Sequence, residues 1–269
     1  MNAHRIVGGV IHALSGAIGL LAFIYPFFLQ TQRGSAINFA HSQDALLVTV
    51  ALVGLSLMAM LVELQGQAVS AKTVALLGVM VAIASVLRFI EVAVPIPGGF
   101  SPIFAPIILA GYVFGGRFGF LMGIFTLLLS GLITGGIGPW LPYQMFTAGW
   151  VGLTAGWLSN IIPQGKNLKF EAVTLSAFGF VWGLLYGLII NLYFWPLASG
   201  PVEQTWVSGI SFKEILTRYA AFYAVTSLGW DLARAVGNAA LILFLGAPTI
   251  RALARFQRRF YFEVSPAHD

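Results

Sequence analysis

Ser227, Asp231, Arg234 and Asn238 recur at i, i+4, i+7 and i+11 in "SLGWDLARAVGNAALILFLG". That spacing lines all four along one face of a helix. The surrounding run is apolar enough to enter a bilayer, where each ionised side chain near mid-depth carries an insertion cost of roughly 2.5–3.5 kcal/mol. The stripe must therefore face a bundle interior or a wet cavity. Arg88 and Glu91 stand near the outer end of a second apolar run, "VALLGVMVAIASVLRFIEV". Two readings are open for these charges. They form interior ion pairs, Arg88 with Asp231 or Asp231 with Arg234, or they line a polar ligand site that opens outward. Asn191, in "YGLIINLYFW", adds a polar group that is costly to bury without a partner, whereas its neighbours Tyr193 and Trp195 suit an interfacial aromatic belt. Trp140 and Gln144 lie where the Gly/Pro loop "GGIGPWLP" runs into the next helix. The candidate solute-binding residues are thus Arg88, Trp140, Gln144, Asn191, Asp231 and Arg234.

Several chemistries are excluded. The chain has no cysteine, which removes disulfides, thiolate metal sites and cysteine nucleophiles. Its histidines are His4, His12, His41 and His268, so residues 42 to 267 contain none. A metalloprotease, a histidine-based hydrolase and a haem-ligating bundle all lack their ligands or base. We expect no catalytic residues, no metal and no cofactor. The one Gly-Lys pair, Gly165-Lys166, is followed by Asn167 and lacks the upstream glycine of a P-loop. Energy for uphill movement must come from another subunit or an ion gradient.

The elements that position these residues are membrane helices. Of 269 residues, 58% are hydrophobic and 9% charged, with a mean hydropathy of +0.89; a soluble domain carries about 25% charged residues. Apolar runs predict spans over 8–29, 45–64, 71–94, 103–115 (short), 117–134, 143–162, 171–195 and 219–246. The runs do not alternate as barrel strands do. The fold expected is an all-α polytopic membrane protein. The N-terminal apolar stretch exceeds a signal peptide's core and reads as the first span.

With the N-terminus inside, one set of ends collects Arg5, Lys72, Arg117, Lys166, Lys169, Arg251, Arg255, Arg258 and Arg259. The opposite loops hold Arg33, Lys213 and Arg218. The positive-inside rule then places both termini in the cytoplasm of a multi-pass cell-membrane protein. The basic tail "RALARFQRR" faces anionic lipid of the bilayer rather than nucleic acid. Loops 94–102, 135–142 and 196–211, rich in Gly, Pro and aromatics, lie outside.

Small residues four apart let helix backbones approach closely in lipid. Gly149, Gly152 and Gly156 form one row, Gly179, Gly183 and Gly187 a second, and Gly229, Ala233 and Gly237 a third. A fourth, Ala71, Ala75, Gly78 and Ala82, begins at the cytoplasmic end of its span and suits a partner helix equally well.

From about residue 71 the chain resembles the substrate-binding S components of energy-coupling factor (ECF) vitamin transporters. The resemblance rests on "VALLGVMVAIASVLRFIEV", "FSPIFAPIILAGYVFGGRFGFLMGIFTLLLSG", "GPWLPYQMFTAGWVGLTAG", "YGLIINLYFW" and "DLARAVGNAALILFLG". It implies a six-helix core over 71–250, preceded by an extra two-helix hairpin over 1–70 and followed by a basic tail over 251–269. It also implies a non-enzymatic subunit that captures a vitamin from outside and delivers it inward by docking on a transmembrane coupling protein served by two ATPase subunits. The docking face would map to Ala71, Ala75, Gly78 and Ala82, and "GGIGPWLP" would be a lid loop. Among S components the chain looks most like the cobalamin type, with a pyrimidine or thiamin-type precursor as the alternative solute. An ion-coupled secondary carrier using Asp231 and Arg234 is the alternative from another class.

Overall fold

The computed structural model describes residues 71–94 and 100–260, with scattered positions between 10 and 54. The described chain is built of helices: α1 (Ala71–Ala93), α2 (Phe104–Phe114), α3 (Gly116–Thr134), α4 (Leu141–Leu158), α5 (Leu168–Phe194), α6 (Phe212–Thr226) and α7 (Leu228–Phe260), with single 3-10 turns at Trp195–Leu197 and Val202–Gln204. Four of them, within 72–93, 116–134, 168–197 and 228–258, are long and apolar enough to cross a membrane. The protein is an all-α polytopic membrane protein, as its composition requires.

Glycines decide how the helices meet. On α5 a side-chain carbon added at Gly183 would lie 2.3 Å from the Ala235 Cα, one at Gly179 would strike Ile242 at 2.8 Å, and one at Gly187 would overlap the Asp231 carboxylate. Residues 179, 183 and 187 thus oppose 242, 235 and 231, an antiparallel contact repeating every helical turn. On α4, Gly152 abuts the Gly119 backbone of α3 and the Gly111 backbone of α2, and Gly156 abuts Gly116. Without a hydrophobic drive between helices in lipid, this close backbone approach supplies the packing energy. The first two expected rows are interior contacts. The third is offset: Gly229 meets nothing within 4 Å, and α7 instead presents Asp231, Ala235, Asn238 and Ile242 inward, with Asp231 and Asn238 almost fully buried. The polar stripe and the packing stripe are the same face.

Gly115 alone separates α2 from α3, at φ 97° and ψ 164°, which a side chain would not adopt. With 11 residues, α2 rises roughly 16 Å, half the hydrocarbon thickness. Phe100, just before it, reaches the depth of Gly237 on α7. The described approach to α2, residues 100–103, is non-helical backbone inside the bundle, tolerated at such depth only where protein buries it or a cavity is lined.

The expected last span, 219–246, is two helices. The break falls at Ser227 (φ −135°), whose N–H closes α6 onto Tyr223 O. Thr226 Oγ1 turns back to Phe222 O at 2.7 Å, and the Asn191 amide donates to Ser227 Oγ at 2.7 Å. Adjacent hydroxyl side chains that bond the local backbone compete with helix continuation, and a cross-helix partner fixes the outcome. At its other end α7 continues through 251–260, so the first part of the basic tail is helical.

The N-terminal hairpin expected over 8–29 and 45–64 lies mostly outside the described residues. Among the described residues of the first of these, Ala22 and Phe23 are buried against the core, Phe23 edge-on to Tyr143 with centroids 5.0 Å apart and 5.8 Å from Trp150.

Gly183→Leu should be destabilising by about 1–3 kcal/mol or more, because the obstructing atoms are backbone and cannot turn aside. Gly78, with nothing within 4 Å, is the control: Gly78→Leu should melt with the unaltered chain in detergent. Equal melting of the two variants would refute the α5–α7 contact.

Candidate functional site

The inward stripe of α7 supplies Asp231, Arg234 and Asn238. At 1.5 Å per residue they lie roughly 5, 9 and 15 Å below the helix start at Leu228. Arg234 pairs with Asp231 on the preceding turn. Its guanidinium also lies over the Tyr186 ring of α5, 5.1 Å from the centroid. Tyr186 stacks edge-on with Phe104 in the first turn of α2, centroids 4.6 Å apart.

The second pair comes from α1. Arg88 bonds Glu91 on its own helix, and Ser101, in the non-helical approach to α2, donates to Glu91 Oε2 at 2.8 Å while accepting from Arg88 Nη1 at 3.4 Å. The two pairs meet through α2: Ser101, three residues before Phe104, holds the α1 pair, and Phe104 meets the Tyr186 ring that lies under Arg234. Of the two pairings expected from sequence, Asp231 with Arg234 forms. Arg88 takes Glu91 rather than Asp231, because an i,i+3 partner on its own helix needs no reach across the bundle. The α7 pair thus lies against a tyrosine from α5, and the α1 pair is tied to the approach to α2, whose first turn meets the same tyrosine.

Satisfaction of the polar groups is incomplete. Asp231 Oδ2, Arg234 Nε and both amide atoms of Asn238 are buried without a hydrogen-bond partner. Asn238 is 1% exposed and Asp231 2%. The Tyr223 phenol stands between Asp231 and Leu184 O, to which it donates at 3.3 Å. Buried polar groups are normally paired, so this concentration on one face of one helix marks a place built for more than packing. The start of α2 is also uncapped by any side chain, leaving first-turn amides as further donors.

The other expected site residues divide. Asn191 is tied to Ser227 at the α6–α7 break, one turn outward of Gly187, and so holds the rim. Trp140 folds back on its own loop: its indole N–H donates to Gly136 O at 3.1 Å, its ring covers Gly138, and the side chain is 42% exposed. Gln144 follows on the first turn of α4 and is half-buried. The structure brings Arg88, Asp231 and Arg234 together and leaves Trp140 and Gln144 on another wall. Sequence reasoning omitted Tyr186, Ser101 and the buried Glu171. Tyr186 sits beside Gly187 in the helix-packing row and Ser101 between aromatic and proline residues, which are weak signals. Glu171, accepting from Tyr112 at 3.1 Å and from Gly165 N at 2.8 Å, secures the turn before α5 at the opposite end.

A family model described as "ECF transporter, substrate-specific component" matches residues 72–246. No curated protein and no solved structure matches the chain.

Asp231→Asn leaves the largely buried Arg234 without its ion-pair partner and should cost up to about 3–5 kcal/mol. The double variant Asp231→Asn/Arg234→Gln removes both charges at nearly constant shape and should regain most of that stability. Thermal melting distinguishes the two, and a double variant as unstable as the single one would show that the pair is not the unit.

Proposed function

The chain belongs to the family of ECF transporter substrate-specific components, and from that premise we propose that the cluster around Tyr186 is where it takes up its solute. As a family member it is a substrate-specific membrane subunit of a transporter and not an enzyme; such components work with a membrane coupling protein and ATPases. The observation that carries the assignment is the joining of two ion pairs and unpartnered buried polar groups at the level where α2 starts part-way through the bundle. Non-helical backbone and a helix start at mid-depth are how membrane carriers present hydrogen-bonding groups to a solute. Arg88, Asp231 and Arg234 line this site with Tyr186, Asn191 holds its rim, and Trp140 at the end of the α3–α4 loop and Gln144 on the first turn of α4 flank the mouth. Family membership replaces the ion-coupled carrier reading.

The solute we favour is a cobalamin-type corrinoid, supported by the wide, aromatic and nearly uncharged loops 94–102, 135–142 and 196–211. A pyrimidine or thiamin-type precursor is the second reading, favoured by the aromatic pair Tyr186 and Phe104 beside the charges. We place the loops outside and both termini in the cytoplasm. Lys72, Arg117, Lys166, Lys169, Arg251, Arg255 and Arg258 stand at the helix ends opposite the site, which supports that orientation.

Coupling is assigned to α1. Ala75, Gly78 and Ala82 are exposed along it, Gly78 with open space around it, and Ala71 continues the same row in sequence. Next to this row an apolar groove of about 390 Å³ runs between α1 and α3, lined by Leu77, Val81, Phe125 and Leu129 among others. An exposed small-residue row beside an apolar groove accepts a close-packed helix. This face is remote from the site in chemistry and composition, so solute capture and docking can be altered separately.

Ala75→Leu and Gly78→Leu should abolish uptake and co-purification of the coupling and ATPase subunits while leaving solute affinity within about twofold. Wild-type yields of those subunits with both variants would contradict the docking assignment. Purified alone, the chain should show no ATPase turnover, and measurable hydrolysis in a partner-free preparation would overturn the transporter reading. Native mass spectrometry of protein from its own host should find a corrinoid mass bound; a pyrimidine mass would select the second reading.

A further inference from the structure

We infer that the part of the solute held by this cluster is uncharged and carries a hydrogen-bond donor and acceptor side by side, as in a carboxamide, a lactam or an aminopyrimidine edge. The inference rests on the cluster's being the uptake site, and adds the chemical class that the site selects.

Charge comes first. Both guanidiniums already have a carboxylate three residues away on the same helix: Arg88 has Glu91 and Arg234 has Asp231. The four formal charges cancel. A carboxylate or phosphate entering here would have to displace a tethered partner, stranding that partner's charge, and would leave the interior net negative. A cation would do the reverse. Uncompensated charge is the most expensive state such a place can hold, so a formally charged group is selected against from both sides.

The inventory of vacancies then specifies what fits. Arg234 Nε is an unused donor, and the Asn238 side chain offers an unused donor and an unused acceptor together, while the Asp231 carboxylate has the Tyr223 phenol beside it. Both a donor and an acceptor are thus on offer. An amide-like edge pairs with a carboxamide by two parallel hydrogen bonds, satisfying both atoms of Asn238 at once. A hydroxyl would satisfy one of them at a time, and a carboxylate would leave the Asn238 oxygen facing a like lone pair. Asn238 has no bland explanation as a packing residue. Its neighbours are the glycine row of α5, where its Cβ lies 3.6 Å from the position of a Gly179 side chain, and the Phe100 ring against Gly237. Neither offers a side-chain group that bonds an amide, and both Asn238 amide atoms are without a partner.

The flanking surfaces agree. Tyr186 and Phe104 form an aromatic corner immediately above, and Phe100 lies beside, so the edge belongs to a group with apolar faces. The peripheral carboxamides of a corrinoid and the aminopyrimidine ring both meet this description, whereas a free acid vitamin or a phosphate ester does not.

The test uses the purified full-length chain in nanodiscs and three matched pairs of probes: cyanocobalamin and its derivative with one side-chain carboxamide hydrolysed to the acid, riboflavin and riboflavin 5′-phosphate, and 4-amino-5-hydroxymethyl-2-methylpyrimidine and its phosphate. At least one uncharged member should bind, and its charged counterpart should bind more weakly by at least about fivefold, the smallest effect of stranding a buried polar group. Asn238→Asp, which replaces the donor by a second acceptor, should weaken the uncharged probe by a similar factor. Arg234→Lys, which keeps the charge beside Asp231 but removes Nε, provides the same readout should Asn238→Asp fail to fold. Binding of a charged member as tight as its partner, absence of binding by all three uncharged members, or affinity unchanged in the variants would each overturn the inference. Failure of the underlying transporter reading would appear separately, as a chain that recovers no coupling subunit from its host membrane.

Discussion

Charge in a hydrocarbon-thick bundle must be neutralised where it stands, and the architecture of this protein follows from that requirement. Asp231 and Arg234 can occupy the inner face of α7 because they pair on adjacent turns and because Gly187 of α5 leaves room for the carboxylate. The same glycine row brings α5 close enough for Tyr186 to lie beneath the Arg234 guanidinium. Helix contact and charge placement are therefore one device: a side chain added to the row would separate the helices and expel the ion pair together.

The short α2 completes the arrangement. Because it starts part-way down, Ser101 and Phe100 approach as irregular backbone, joining the α1 pair through Ser101 and α7 through Phe100. Elements α1, α2, α5 and α7 thus converge at one level. The opposite end is built differently, with Glu171 and Gln257 closing turns onto α2, at Tyr112 and Val113, and with basic residues at the surface. The two ends thus differ in chemistry, and α1 carries an exposed small-residue row between them. That division suits a subunit that binds on its own and borrows its energy from partners.

Much of this was legible in the sequence, and the boundary of legibility has physical causes. Apolar run length places the helices from α1 to α5, with α2 short in the sequence as in the structure, but merges α6 and α7 into one span. The glycine rows of α4 and α5 announced close packing, since four-residue spacing has few other uses in lipid. The row Gly229, Ala233 and Gly237 misled: spacing identifies a face but not which face turns inward, and the cost of ionised groups, which forces Asp231 inward, outweighs small-residue packing. The break at Ser227 was hidden because its cause, a bond from Asn191 on another helix, is not local. Arg88 was equally ambiguous, its choice of Glu91 over Asp231 being settled by distance. Tyr186 is invisible as a site residue until the α5–α7 register is known.

The central claim is that solute lies among α1, α2, α5 and α7, and a crystal structure of the chain with its co-purified solute tests it most directly. The account predicts solute density against Tyr186, between Arg234 and Ser101, with a polar edge within hydrogen-bonding distance of Asn238. Density seated instead on Trp140 and Gln144, with the Tyr186 cluster packed as it is here, would contradict it.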